Sequence, residues 1–139
     1  MNLRRDVEAA ILATPGAVIS GGLTELPDGI SEAAFVREII KRAKKLGHKA
    51  AHFRSVRVQR KDGSTHWQTP VQGDGAGFVD LIIAAGDTLY AIEAKVGRNK
   101  PTLLQLDWLE AFRGVRRVVP GIWRPEDWQA INEILRRES

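Results

Sequence analysis

Two apolar runs joined by a Gly-Asp pair at positions 86 and 87 constrain this chain more than any other feature. Residues 80–84 read Asp-Leu-Ile-Ile-Ala, and residues 89–96 read Leu-Tyr-Ala-Ile-Glu-Ala-Lys-Val. A Gly-Asp pair between two β-like runs favours a two-residue hairpin turn. Counting outward from this turn places Asp80 directly opposite Glu93. We therefore predict a β-hairpin with an acidic pair near its open end.

The acidic pair predicts a metal site. Directly opposed residues have Cβ atoms about 4.5–5.5 Å apart, and like charges at this spacing destabilise a sheet. A cation between the carboxylates removes this cost, and carboxylate oxygens suit Mg²⁺ or Mn²⁺. Asp80, Glu93 and the backbone carbonyl of Ala94 are the predicted ligands. Lys95 shares a face with Glu93 and can orient water or stabilise developing negative charge. The alternative is a surface hairpin in which Lys95 forms an exposed ion pair with one acid.

Periodicity predicts the other elements. Ser31 is the expected N-cap of a helix that ends near Leu46. Strands are expected over residues 49–60 and 64–71, on either side of an Asp-Gly turn. Further on, we predict a helix over residues 102–112, a strand over residues 116–123 that Pro120 and Gly121 interrupt or bulge, and a helix from Pro125 to about Arg137.

Composition along the chain predicts its domain organisation. Residues 29–139 are expected to form one α/β domain, and residues 1–28 an N-terminal arm and linker. Within that arm, a short helix is predicted over residues 2–13, followed by a loop rich in Gly, Pro and Thr.

Composition narrows the functional classes. The formal net charge of +4 and the pI near 9.8 favour a polyanionic partner such as nucleic acid. The absence of cysteine excludes disulfides, thiolate zinc sites and cysteine nucleophiles, and it fits a reducing cytoplasm. No apolar run approaches the roughly 20 residues that span a bilayer, so no membrane partner is expected. The glycine-rich loop over residues 72–77 lacks the Gly-Lys-Ser/Thr of a nucleotide-binding P-loop.

Several motifs together resemble the VRR-NUC branch of the PD-(D/E)xK nucleases. They are Gly77-Phe78-Val79-Asp80, Glu93-Ala94-Lys95, Pro101-Thr102-Leu103-Leu104-Gln105, Trp108-Leu109 and Trp123-Arg124-Pro125-Glu126-Asp127-Trp128. The resemblance runs from about Ser31 to Leu135 and keeps the family's motif order. One departure is Val79, where the family usually has proline.

The resemblance implies a restriction-endonuclease-like core, in which helices flank a mixed β-sheet. It also implies Mg²⁺- or Mn²⁺-dependent cleavage of DNA in replication, recombination or repair. Family members occur in phages, and several are homodimers that cut branched DNA such as Holliday junctions or flaps. A bacterial or phage-infected cell is the expected setting.

Position by position, the resemblance assigns roles to five side chains. Asp80 and Glu93 match the metal ligands, Lys95 the catalytic lysine, Gln105 a helix glutamine, and Glu32 a glutamate of the first helix that completes the metal site. Gln105 also ends a Thr-x-x-Gln capping box, and Glu32 also suits a helix N-terminus, so both have a structural alternative.

The basic residues are candidate phosphate contacts. Those predicted to touch DNA are Arg54, Arg57, Arg60, Lys61 and Arg124. Two other classes of function remain open: a DNA-binding or assembly module that has lost catalysis, and a basic protein-interaction domain.

Overall fold

The computed structural model describes residues 25–53, 56–68 and 71–138. The helix expected over residues 2–13 and the loop that follows it, to residue 24, lie outside these ranges. Along the chain, the elements are α1 (Glu32–Lys45), β1 (Lys49–His52), β2 (Val56–Gln59), β3 (Thr65–Gln68), β4 (Leu81–Ala85), β5 (Thr88–Ala94), α2 (Leu103–Arg113), β6 (Val118–Trp123), a 3₁₀ turn (Pro125–Asp127) and α3 (Trp128–Arg137). The fold is therefore a mixed α/β arrangement.

Four strands form one mixed sheet in the order β1-β4-β5-β6. The β4–β5 hairpin pairs Ala85 with Thr88 and Leu81 with Ile92, which confirms the predicted register. β1 runs antiparallel to β4, whereas β6 runs parallel to β5. β2 and β3 form a separate two-stranded hairpin.

The single strand predicted over residues 49–60 is wrong, because this run forms two strands in different sheets. β1 pairs with β4 until His52 meets Leu81, the first residue of β4. The N–H of Phe53 then donates to the Asp80 carbonyl at 2.7 Å, directly before the start of β4. From Val56 onward, β2 pairs with β3 instead.

Helices cover both faces of the four-stranded sheet. On one face, α1 and α3 pack against the side chains of Leu81, Ile83 and Ile92. On the other face, Leu109 of α2 packs against Ala91 and the strand residue Ile122. The sheet is thus the middle of three layers. No helix in the described ranges is long and apolar enough to cross a membrane.

The predicted start of α1 is confirmed. The Ser31 hydroxyl accepts a hydrogen bond from the Ala34 N–H at 3.1 Å, as expected of an N-cap. Gly47 follows the helix with φ of +86°, a backbone conformation that favours glycine. One side of the helix carries four fully or almost fully buried apolar residues: Phe35, Val36, Ile39 and Ala43.

The prediction that Pro120 and Gly121 interrupt the last strand is wrong, because β6 pairs with β5 continuously from Val118 to Trp123. The Leu89 N–H donates to the Arg117 carbonyl at 2.9 Å, which places the odd-numbered residues of this segment towards β5. Pro120 therefore turns its nitrogen away from β5. A missing N–H costs nothing there, because β6 is an edge strand.

Candidate functional site

The predicted acidic pair lies where β4 begins. Asp80 directly precedes β4, and its Oδ2 accepts a hydrogen bond from the Ala94 N–H at 3.0 Å. The Asp80 carboxylate thus accepts the hydrogen bond that a backbone carbonyl of the partner strand would otherwise accept at this end of the hairpin. The N–H and C=O of one strand residue point to the same side. The Ala94 carbonyl is therefore directed to the side of β5 on which Asp80 lies.

Glu93 is an acid buried without a hydrogen-bond donor. Its side chain is 0% exposed, and among the described residues neither carboxylate oxygen has a hydrogen-bond partner. The nearest cation is Lys95, whose Nζ lies 3.9 Å from Oε2. Buried polar atoms without partners are rare in native proteins and often mark a missing ion or water. The donor set therefore fits a cation between Glu93 and Asp80.

The electrostatics of Glu93 agree with this geometry. Burial raises the pKa of its carboxyl from 4.5 to about 9, and the negative charge of Asp80 is the next largest cause of this rise. Lys95 opposes this rise in pKa. Without a cation, Glu93 consequently holds a proton at neutral pH. A divalent cation would stabilise the ionised form and displace that proton.

Glu32 reaches the same region from the first turn of α1. Burial is the main cause that raises its pKa, and the Asp80 charge is the next, while Lys95 lowers it. The structure thus brings Glu32, Asp80, Glu93 and Lys95 into one electrostatic cluster. Within the described ranges, however, no three Asp, Glu or His side chains converge closely enough to hold an ion by themselves. The ligand set is best described as two carboxylates and a backbone carbonyl, with Glu32 farther out.

The segment before Asp80 is held rigidly. Gly77 has φ of +78°, and a Cβ at this position would lie 2.6 Å from the backbone of Leu104 in α2. Val79 is completely buried and therefore serves as a core residue. The Phe78 ring makes edge-to-face contacts, at centroid distances of 5.0 to 5.9 Å, with three rings: Phe53, Trp108 and Phe112. The sequence does not predict this aromatic cluster, because isolated aromatic residues give no sign of which partners they meet.

Gln105 acts as a helix cap. Its Oε1 accepts from the Thr102 N–H at 2.8 Å, and the Gln105 N–H donates to the Thr102 Oγ1 at 3.2 Å. The structural alternative for this glutamine is therefore present. Its backbone nitrogen would lie 2.8 Å from a Cβ placed at Gly77.

The phosphate contact expected at Arg124 does not fit its burial. Arg124 is only 8% exposed, and its guanidinium donates to the Gly97 carbonyl at 3.1 Å and the Asn99 carbonyl at 2.7 Å. It holds the loop that follows Lys95, a role that no local sequence pattern could have revealed.

The other predicted DNA contacts belong to the β2–β3 hairpin and its approach. Arg60 and Lys61 are exposed at the hairpin turn, and Arg60 Nε lies 3.0 Å from Nδ1 of His66. Arg57 is a residue of β2, and Arg54 lies outside the described residues. Arg60 and Lys61 are therefore free of the core and face solvent.

Comparison with known proteins adds no relative: no family model, curated protein or solved structure matches this chain. The chemistry of the site therefore follows from its own side chains. Two carboxylates, a backbone carbonyl and a lysine at the end of a hairpin can hold a divalent cation and place an ammonium group next to it.

Proposed function

We propose that this protein is a Mg²⁺- or Mn²⁺-dependent nuclease that hydrolyses DNA phosphodiesters. One observation supports the proposal most strongly: Glu93 is buried without a donor, opposite Asp80, with Lys95 Nζ 3.9 Å away. An ordinary surface hairpin does not explain this arrangement, because its acid and lysine would be solvated. A basic interaction domain has no use for a buried Glu93 beside Asp80.

Each side chain has a distinct task in this proposal. Asp80, Glu93 and the Ala94 carbonyl would hold the cation, with Glu32 completing the set. A bound Mg²⁺ or Mn²⁺ supplies Lewis-acid activation of water and neutralises charge on the phosphate. Lys95 orients the attacking water or stabilises the negative charge that develops on the phosphate. Water is the nucleophile, and no covalent intermediate forms.

The layered fold supports a finer assignment. A mixed sheet between helices, with the acidic pair on an antiparallel hairpin, is what the PD-(D/E)xK class requires. Together with the motifs of the sequence, this favours the VRR-NUC branch and a restriction-endonuclease-like core. The proposed substrate is branched DNA, such as a Holliday junction or a flap. A homodimer is proposed with it, because one such site cuts one strand.

A second candidate, a DNA-binding module without catalysis, is favoured by two observations. Within the described ranges no third acidic side chain joins the pair closely enough to bind a cation with it. In addition, Gln105 is engaged in a helix cap. This candidate predicts DNA retention without cutting.

A nuclease assay separates the two candidates. Branched, flap and linear DNA are incubated with Mg²⁺, Mn²⁺ or EDTA, and the wild-type protein is compared with Asp80→Asn and Lys95→Ala. Loss of one charge-stabilising group typically lowers the rate by about 10²–10³. Asp87→Asn, an exposed acid at the opposite end of the same hairpin, and Lys100→Ala are the matched controls. Cutting that survives EDTA, or Lys95→Ala activity equal to that of Lys100→Ala, would refute a metal-dependent nuclease that acts at this site.

A further inference from the structure

The outward face of α1 is a stripe of basic residues. Five positions of this helix are exposed, and the four other than Ala33 are Arg37, Lys41, Lys44 and Lys45. Their spacing of i, i+4, i+7 and i+8 places them on one side of a helix with about 100° per residue. The buried residues Phe35, Ile39 and Ala43 lie on the opposite side.

This stripe concentrates positive charge. None of its four residues forms an ion pair with another described residue, and Glu38, the nearest acid on the helix, is half-buried beside Arg42. The exposed Lys49 follows directly after the helix, at the start of β1. Without the four stripe residues, the 21 basic side chains of the chain would number the same as its 17 acidic ones. The four charges of this helix face thus equal in number the formal net charge of +4.

The helix dipole explains only part of the stripe. Cations in the last turn of a helix are favourable, and this covers Lys44 and Lys45. Arg37 lies in the first half of the helix and Lys41 in its middle, where the dipole offers little. A row of charges from Arg37 to Lys45, none paired with another described residue, is better explained by a polyanion that lies on it.

The stripe and the candidate site are at different places on the same helix. Glu32 begins α1 and interacts with Asp80 and Lys95, so the helix starts at the site. The 14 residues of α1 then extend about 20 Å away from it. Glu32 and the stripe also lie on opposite sides of the helix. A nucleic acid that contacts both has to reach two opposite sides of one helix, which suits two duplex arms better than one straight duplex.

We propose that this basic face of α1 binds the phosphates of a second duplex arm when the first arm occupies the candidate site. The proposal rests on the nuclease function for the identity of the first arm, and it names a reason for preferring branched DNA. An anionic membrane is the less favoured partner, because membrane-bound helices insert an apolar face, and the apolar face of α1 is buried in the core.

The test measures binding in EDTA, where no cleavage occurs. A double variant, Lys41→Gln with Lys45→Gln, removes two stripe charges and keeps good helix-forming residues. The matched control is Arg113→Gln with Arg116→Gln, which removes the same charge near the end of α2. Affinities of all proteins for a four-way junction and for a linear duplex of one arm's sequence are measured over a range of salt concentrations. Circular dichroism confirms that each variant is folded.

The proposal expects a selective loss. For the junction, the slope of log affinity against log salt should fall by about 2, since each lost phosphate contact contributes about 0.9. For the linear duplex, the slope of the stripe variant should match that of the control. Equal slopes for stripe variant and control on the junction, or equal losses on both DNAs, would overturn the proposal. Loss of binding to phosphatidylserine vesicles with junction binding intact would overturn it in favour of a membrane.

Hydrolysis of bis(p-nitrophenyl) phosphate, a small phosphodiester, separates this proposal from the nuclease. This small ester reaches the candidate site without touching the stripe, so the double variant should hydrolyse the ester at the wild-type rate. A wild-type protein that hydrolyses neither this ester nor DNA refutes the nuclease, while the binding measurement still tests the stripe.

Discussion

Replacing Glu93 by glutamine is expected to stabilise the metal-free protein while it abolishes metal-dependent cleavage. In the wild-type protein, folding buries the carboxyl completely and gives it no donor among the described residues. An ionised Glu93 would therefore be a buried charge next to another carboxylate, that of Asp80. Glutamine has nearly the same shape, carries no charge, and can donate an amide N–H to Asp80.

The size of the effect follows from proton linkage. The pKa of Glu93 is about 9 in the folded protein, against the ordinary value of 4.5. Below pH 4.5 both states hold the proton; between pH 4.5 and 9 only the folded state holds it. The free energy of unfolding therefore falls by about 1.4 kcal/mol for each pH unit in this window. At pH 7 the accumulated loss is about 3 kcal/mol, or roughly 10 °C in Tm for a domain of this size.

Unfolding by urea in EDTA, between about pH 5 and pH 8, measures this effect. The wild-type protein should lose stability with rising pH, and Glu93→Gln should remove about 1.4 kcal/mol per unit of that slope. Glu126→Gln, at an exposed acid, is the matched control and should follow the wild type. Mg²⁺ should then stabilise the wild type, more so at higher pH, and leave Glu93→Gln unchanged. Parallel pH profiles for wild type and Glu93→Gln would refute the reasoning.

Three further predictions concern groups that support the site. Arg124→Gln should lower the free energy of unfolding, measured with urea, by about 1–3 kcal/mol, because two loop carbonyls lose their donor. Arg124→Lys should recover part of this stability, and an Arg124→Gln variant as stable as the wild type would contradict the prediction. Gly77→Ala should destabilise the fold by more than about 1 kcal/mol, which is the cost of backbone strain alone, because φ is positive and the new Cβ would lie 2.6 Å from Leu104. Thermal unfolding checks this against Gly63→Ala, where φ is also positive but the surrounding space is open. Gln105→Ala and Thr102→Ala should each lower stability by about 1 kcal/mol and change cleavage rates equally, as partners in one cap; a much slower Gln105→Ala would instead indicate a role at the site.

The hairpin register was predictable from the sequence because a two-residue turn fixes every pair beyond it. Once the Gly-Asp turn was assigned, alternation alone put Asp80 opposite Glu93. The starts of α1 and α2 were predictable for a similar reason, since Ser31 and Thr102 cap their helices through bonds to residues three positions away. Local chemistry therefore carries the parts of the fold that hold the acidic pair.

Other features depend on contacts between distant residues. Alternation placed Glu93 and Lys95 on one face, but the complete burial of Glu93 depends on the packing of α2 over that face. The break between β1 and β2 depends on where β4 begins, and a run of β-forming residues gives no sign of its partner. Arg124 joins carbonyls 27 and 25 residues earlier in the chain. No pattern within a sequence window contains such information.

The proline in β6 limits how this protein can associate with itself. Sheets often extend from one molecule to the next when an edge strand offers free N–H groups. Here one edge strand, β6, contains Pro120, which is buried and has no N–H to offer, and the other is the four-residue β1, which starts at the charged Lys49. Neither edge is a good template for a neighbouring strand. Two copies that act together on a junction should therefore meet through helices or loops, and the four-stranded sheet should end within each molecule.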